Sequence, residues 1–239
     1  MATEYFKAIV KNIIKETDTV NRYQLVFPDM EEFEYKAGQY VKVDLPIDDK
    51  KTYRQYSIAS APDGSNEIEL LIVLAEHGKG THYLFNEVEV GTELKVSKAL
   101  GRFVLPDEID KEVCFICTGV GLAPFRSMIL DKYKKGEQPH KFHLIFGTRH
   151  KKDMLYPNEW PALEKEFSSF KYYPVLSRET ENWDGRKGYV HQIYQEIFKE
   201  KQDALFYICG WDAMIKEARK NLKDEMGYER RNILFEKYD

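Results

Sequence analysis

From residue 1 to about 106, apolar and polar positions alternate with a period of two, in short runs bounded by turn residues. That is the pattern of strands with one buried face. Candidate strands cover residues 5–14, 23–27, 40–45, 55–60, 67–74 and 93–97. Pro28-Asp29, Lys36-Ala37-Gly38 and Pro62-Asp63-Gly64-Ser65 separate some of them and suit tight turns. One stretch breaks the period: THYLFNEV, residues 81–88, opens on Thr81 as an N-cap and reads as a single short helix. So many short strands would leave exposed edges in an open sheet, so a closed antiparallel six-stranded β-barrel is expected.

After Pro106-Asp107-Glu108 the pattern changes. The strand-like run VCFICT leads through a Gly-rich turn into a segment with Phe125, Met128, Ile129 and Tyr133 at helical spacing. KFHLIFG, KYYPVLS, ALFYICG and ILFEKY read as further strands. Between them lie helices around Trp160, Leu163 and Phe167, around Val190, Ile193 and Ile197, and over residues 212–226. Strand and helix in alternation predict an α/β domain with a parallel sheet wrapped on both faces. Two domains are therefore expected, residues 1–106 and residues 107–239, with no internal repeat or low-complexity segment.

Composition changes this picture little. A chain of 239 residues with 43% hydrophobic and 32% charged positions can bury a core in each half. A net charge of −4 offers no nucleic-acid footprint. The locally basic Lys132, Lys134 and Lys135 read as a solvated helix end. The start, MATEYFKAIV, lacks a signal-peptide core, and no apolar run approaches a membrane span, so a cytoplasmic location is expected. Cys114 and Cys117 form a CxxC inside a strand, where residues three apart point to opposite faces; with Cys209 they read as core cysteines. No second CxxC or set of four cysteines is present, so no metal or iron–sulfur site is expected.

Three segments carry candidate chemistry. TGVGLAPF, residues 118–125, lies between a strand and a helix. Gly119 and Gly121 let the backbone approach a pyrophosphate at the helix N-terminus, and Pro124 suits the first helical turn. Glycine turns are also common as plain connectors, and it is the place of this one after the first α/β strand that points to nucleotide binding. RQYSIAS, residues 54–60, puts Arg54, Tyr56 and Ile58 on one strand face and Gln55, Ser57 and Ala59 on the other. Taken alone, its Arg and Tyr are an ordinary cross-strand pair. GKGTHYL, residues 78–84, offers backbone donors and the Thr81 hydroxyl either to an anion or to helix capping.

The order RQYS, GKGT, TGVGLAP, YICG and a terminal EKY resembles the ferredoxin–NADP reductase superfamily along nearly the whole chain. The resemblance implies that the barrel binds a flavin, FAD rather than FMN, and that the α/β half binds NADPH or NADH. It implies further that Arg54 pairs with the flavin phosphates, a role suited to a guanidinium fork. Tyr56 would lie against the isoalloxazine ring, Ser57 near its N5, with Gln55 beside them. Gly80 and Thr81 match the second phosphate-binding segment, where Thr stands for the more usual Ser. Thr118, Gly119, Gly121 and Pro124 match the pyrophosphate turn, and Cys209 and Gly210 the Cys-Gly next to the nicotinamide. Cys209 by itself reads equally as core. Glu236 would assist proton handling, and Tyr238 matches the aromatic that covers the flavin, although this chain carries one residue more, Asp239.

Ser177, Arg178, Arg186 or Lys187, and Tyr189 are similar to the family's set for a 2′-phosphate, which favours NADPH over NADH. The neighbouring Glu179 points the other way, and a polar loop leaving a strand has the same composition. The resemblance thus implies a hydride passed between NAD(P)H and FAD, with single electrons exchanged with a separate ferredoxin or flavodoxin steered by basic residues. Two other readings stand beside it: the reductase component of an oxygenase system or a free-flavin reductase, and a non-enzymatic flavin-binding subunit that routes electrons in a larger complex.

Overall fold

The computed structural model describes residues 4–48, 50, 52–136, 141–179 and 183–238. The chain divides into two compact units, Met1–Leu105 with Ala123–Lys134, and Pro106–Leu122 with Lys135–Asp239.

In the first unit six strands form one antiparallel sheet: β1 (Tyr5–Lys15), β2 (Val20–Val26), β3 (Tyr40–Asp44), β4 (Tyr53–Ser57), β5 (Glu67–Val73) and β6 (Glu93–Ser97). Their order is β4-β3-β6-β1-β2-β5. Ile58 bridges to Leu70 and the Ala59 amide donates to the Glu69 carbonyl at 2.7 Å, so the two end strands meet and the barrel closes. Alternation decides the interior: Ala8, Val10, Tyr23, Leu25, Val41, Val43, Ile68, Leu70, Leu94 and Val96 point inward and are buried. Each fully buried aliphatic side chain there contributes about 1.5–3 kcal/mol.

The helix α1 (Lys79–Asn86) begins two residues before the expected start. Gly78, not Thr81, holds the N-cap, because the Thr81 hydroxyl is turned back on its own loop. It accepts the Ala75 amide at 3.1 Å and donates to the Gly78 carbonyl at 3.0 Å. Leu84 of α1 plugs the barrel, and the Tyr23 hydroxyl donates to its carbonyl at 2.9 Å.

The helix α2 (Ala123–Lys134) groups by its contacts with the barrel, although it follows the change of pattern at residue 106. Arg126 donates to the Ala59 carbonyl at 2.9 Å and lies 3.3 Å from Glu69 Oε1, both side chains being largely buried. Ser127 donates to the Ser60 carbonyl at 2.6 Å. At Gly38, whose φ is +96°, a side chain would run into the Phe103 carbonyl and Met128, so only glycine lets this turn and α2 pack together.

The second unit holds a six-stranded parallel sheet: β7 (Glu112–Thr118), β8 (Phe142–Thr148), β9 (Phe170–Leu176), β10 (Arg186–Lys187), β11 (Ala204–Gly210) and β12 (Ile233–Lys237). Their order is β10-β9-β8-β7-β11-β12. The two-residue β10 gave no periodic signal, being short and charged. The helices α4 (Val190–Ile197) and α5 (Asp212–Lys220) cover one face, over Cys114, Ile116, Ile145, Phe206 and Ile208. The helix α3 (Glu159–Glu166) brings Trp160 against Phe170 and Tyr172 of the other face. Burial on both faces explains the nearly continuous apolar runs of β7 and β8. The helix expected over residues 212–226 changes hand-hold at Lys220 and ends as a π-helical turn, Asn221–Glu225. No helix among the described residues is long and apolar enough to cross a membrane.

Candidate active site

In the barrel, β4 carries four of the expected site residues. The half-buried Arg54 donates to the Tyr53 carbonyl at 3.1 Å. Its stem lies against the first turn of α1: a Cβ on Gly80 would stand 2.9 Å from Arg54 Cγ, 3.0 Å from Leu45 Cδ1 and 3.3 Å from Arg54 Nε. The guanidinium therefore lies beside the leading amides of α1, which have no carbonyl to bond within the helix. A fixed cation beside a helix N-terminus suits a phosphate. Tyr56 packs on the barrel core, and its hydroxyl is buried with no hydrogen-bond partner among the described residues. Burial pushes the ionisation of Tyr56 upward, with the Arg54 charge opposing. Ser57 is 3% exposed and pairs in register with Tyr40, whereas Gln55 is exposed. Thr81 differs from expectation in that its hydroxyl already serves the loop.

In the second unit the chain lays β7 to β10 outward on one side and returns to β11 on the other side of β7. The carboxyl ends of β7 and β11 therefore form the topological switch point, the place where open α/β sheets take their ligands. Thr118 ends β7 and runs into a 3-10 turn, Gly119–Leu122. Gly119 has φ +53° and open space around it. A Cβ on Gly121 would stand 2.5 Å from the Cys209 carbonyl oxygen, so glycine alone lets the turn press against the end of β11. Pro124 follows in the buried first turn of α2. Gly210, at φ +135°, ends β11 packed so closely on Thr118 that a side chain has no room.

The parallel register sets Cys209 between Cys117 and Glu236. Burial, then the Glu236 charge, push the Cys209 thiol far up, with a hydrogen bond from Tyr238 opposing. A buried thiol raised in this way is protonated near neutral pH and is a poor nucleophile. Glu236 and Tyr238 are both half-buried; Asp239 lies outside the described residues.

A second group gathers at the ends of β9 and β10. Ser177 donates its amide (3.0 Å) and its hydroxyl (3.3 Å) to the Thr148 carbonyl, and Arg178 is exposed. Lys187 pairs with Leu176 in register, which sets it beside Ser177; it is exposed, as is Tyr189. Arg186, by alternation, points to the opposite face. It forks onto Glu196 at 2.6 and 3.4 Å and lies over the Tyr173 ring, so of the two basic residues Lys187 is the one left at the strand end. Glu179 is turned aside: it accepts the Lys151 amide at 3.0 Å and lies 3.8 Å from His150 Nδ1.

Residues 7–105 match the family model for an oxidoreductase FAD-binding domain and residues 115–220 that for an oxidoreductase NAD-binding domain. Ferredoxin–NADP reductase B of Sorangium cellulosum is 34% identical over 217 residues, 88% of either chain. The chain belongs to the ferredoxin–NADP reductase superfamily. It is an NAD(P)H-dependent flavin oxidoreductase, with FAD and NAD(P) as its cofactors.

Within this superfamily it is also 30% identical to the electron transfer component of anthranilate 1,2-dioxygenase from Acinetobacter baylyi, spanning 87% of this chain and 60% of that one. The cytochrome P450 reductase GcoB of Amycolatopsis has the same fold, with a TM-score of 0.87 at 26% identity over 99% of this chain and 71% of its own. The barrel residues fit a flavin dinucleotide: Arg54 and the start of α1 would offer charge to its phosphates, and the Tyr56 hydroxyl, without a partner among the described residues, would offer it a hydrogen bond. One residue at the switch point escaped the sequence reading. Trp211, directly after Gly210, is 68% exposed, and its only sequence signal is its place after YICG.

Proposed function

We propose that this reductase passes a hydride between NADPH and FAD and exchanges single electrons with an acidic carrier protein, a ferredoxin or a flavodoxin. Bound FAD supplies the change from two-electron to one-electron chemistry. In this reading residues 1–106 hold FAD, through Arg54, Gly80 and Thr81 at the phosphates and Gln55, Tyr56 and Ser57 at the ring. Residues 107–239 hold the nucleotide, with Thr118, Gly119, Gly121 and Pro124 at the pyrophosphate, Cys209 and Gly210 at the nicotinamide, and Glu236 and Tyr238 beside them.

NADPH rather than NADH is favoured by the group Ser177, Arg178, Lys187 and Tyr189, next to which Glu179 is engaged with Lys151 and His150. A bare ribose hydroxyl is typically met by a carboxylate, and this one is already engaged by the Lys151 amide and His150. An acidic carrier is supported by a groove of about 510 Å³ lined by Lys216, Arg219, Lys220, Lys223, Arg230, Ile233 and Phe235, a concentration of cations on a chain of net charge −4. A cytoplasmic location goes with such carriers. The second reading, the reductase component of an oxygenase, draws on the likeness to the anthranilate dioxygenase component.

The experiment is an anaerobic visible spectrum of the purified protein with NADPH and, in parallel, NADH. A flavin band bleached faster by NADPH, followed by salt-sensitive reduction of an acidic ferredoxin, supports the reading. Faster bleaching by NADH moves it to the oxygenase-type reductase, and a protein that binds no flavin defeats both. Arg54→Ala is expected to lose flavin on gel filtration; full retention would remove Arg54 from the phosphate site.

A further inference from the structure

Of the three tryptophans, Trp160 is fully buried and Trp183 donates its indole N–H to the Arg186 carbonyl at 2.9 Å. Trp211 is different. It is 68% exposed, and among the described residues its ring has no aromatic or cationic neighbour. Its backbone is held firmly: the amide donates to Thr118 Oγ1 at 3.2 Å, and the residue occupies the N-cap of α5 in extended geometry. A rigid backbone thus carries a bare indole at the switch point, beside the turn that starts at Gly119. Large exposed aromatics at such a place are binding surface for flat ligands.

The polar group at Ser177, Arg178 and Lys187 lies at the end of β9, three strands away from β11 in the order β9-β8-β7-β11. Three inter-strand steps come to about 14 Å. A dinucleotide anchored there by its adenosine phosphate and crossing the Gly119–Gly121 turn by its pyrophosphate brings its second ring to β11. We propose that Trp211 is a positioning residue for the nucleotide and that its indole face receives the nicotinamide half. This rests on the nucleotide-binding reading given above. The indole face is electron-rich, so it favours the positively charged oxidised ring over the neutral reduced one.

The test is calorimetric binding to the flavin-loaded enzyme of NADP+ against its adenosine half, 2′,5′-ADP, with NAD+ against ADP in parallel. Trp211→Ala is expected to weaken the dinucleotide about tenfold and to leave the adenosine half unchanged, with Trp211→Phe restoring part of the loss. NADP+ and NADPH should also lose affinity unequally, the oxidised form more. Unchanged dinucleotide binding in Trp211→Ala overturns the proposal. So does an equal loss for the adenosine half, which would move the indole to the adenine. A wild-type protein that binds neither dinucleotide would take the nucleotide reading down with it.

Discussion

The Tyr56 hydroxyl is the sharpest handle on the flavin site, because its effect changes sign with occupancy. It is buried without a hydrogen-bond partner among the described residues. An unsatisfied buried hydroxyl costs about 1–3 kcal/mol. Tyr56→Phe removes that cost and keeps the ring packing on the barrel core, so the flavin-free variant should be more stable than wild type by about 1 kcal/mol. With FAD bound, the wild-type hydroxyl gains a hydrogen bond worth about 1 kcal/mol that the variant lacks. The two effects add in the binding equilibrium, giving about 2 kcal/mol, or roughly thirtyfold weaker FAD binding. Urea unfolding of the flavin-free proteins measures the first effect and fluorescence titration of FAD the second. A flavin-free variant less stable than wild type would mean that the hydroxyl has a partner in the empty fold. Unchanged FAD affinity would mean that it does not face the cofactor.

Three further outcomes follow from the same geometry. Gly121→Ala places a methyl group 2.5 Å from a backbone oxygen of β11, which cannot swing aside as a side chain can; a loss of about 2 kcal/mol in unfolding free energy is expected, and a neutral result would mean that the turn is not pressed on the strand. Burial lowers the pKa of both His143 and His191 from 6.5, against the opposing pull of Glu112 and Glu217. The unfolded chain therefore binds protons that the fold refuses, so their stabilising contribution is complete above pH 6.5 and is lost as pH falls through the depressed values. Urea midpoints from pH 7.5 to 5 should decline, less steeply in His143→Gln; equal slopes would remove His143 from the account. Cys114, Cys117 and Cys209 are all buried, and burial raises all three thiols. Iodoacetamide at pH 8 should label none of them in the native protein and all three in urea, and rapid native labelling of Cys209 would show an exposed thiolate instead.

The chain's own patterning determined most of the architecture. Period-two alternation marks strands with one wet face, and it located all six strands of the barrel to within a few residues. Solid apolar runs such as VCFICT mark strands buried on both faces, and their alternation with helical spacing announced the parallel sheet. The glycines of TGVGLAP were legible because a tight turn between strand and helix needs them locally. Such signals survive in one dimension because burial of a face is repeated at every turn of the local geometry.

Tertiary structure decided what depends on neighbours distant in the chain. Nothing local says that Arg126 will reach Glu69 and draw α2 to the barrel, or that Gly78 will take the cap while Thr81 turns back on Ala75. Arg186 and Lys187 are interchangeable in sequence; only the pairing of β10 with β9 sends one to Glu196 and leaves the other beside Ser177. Trp211 reads as one more aromatic until the return of the chain to β11 sets it, uncovered, at the switch point. The physical reason is common to all of these: which partner a polar or aromatic side chain meets is set by strand order and register, long-range facts that a residue's own neighbours in sequence do not carry.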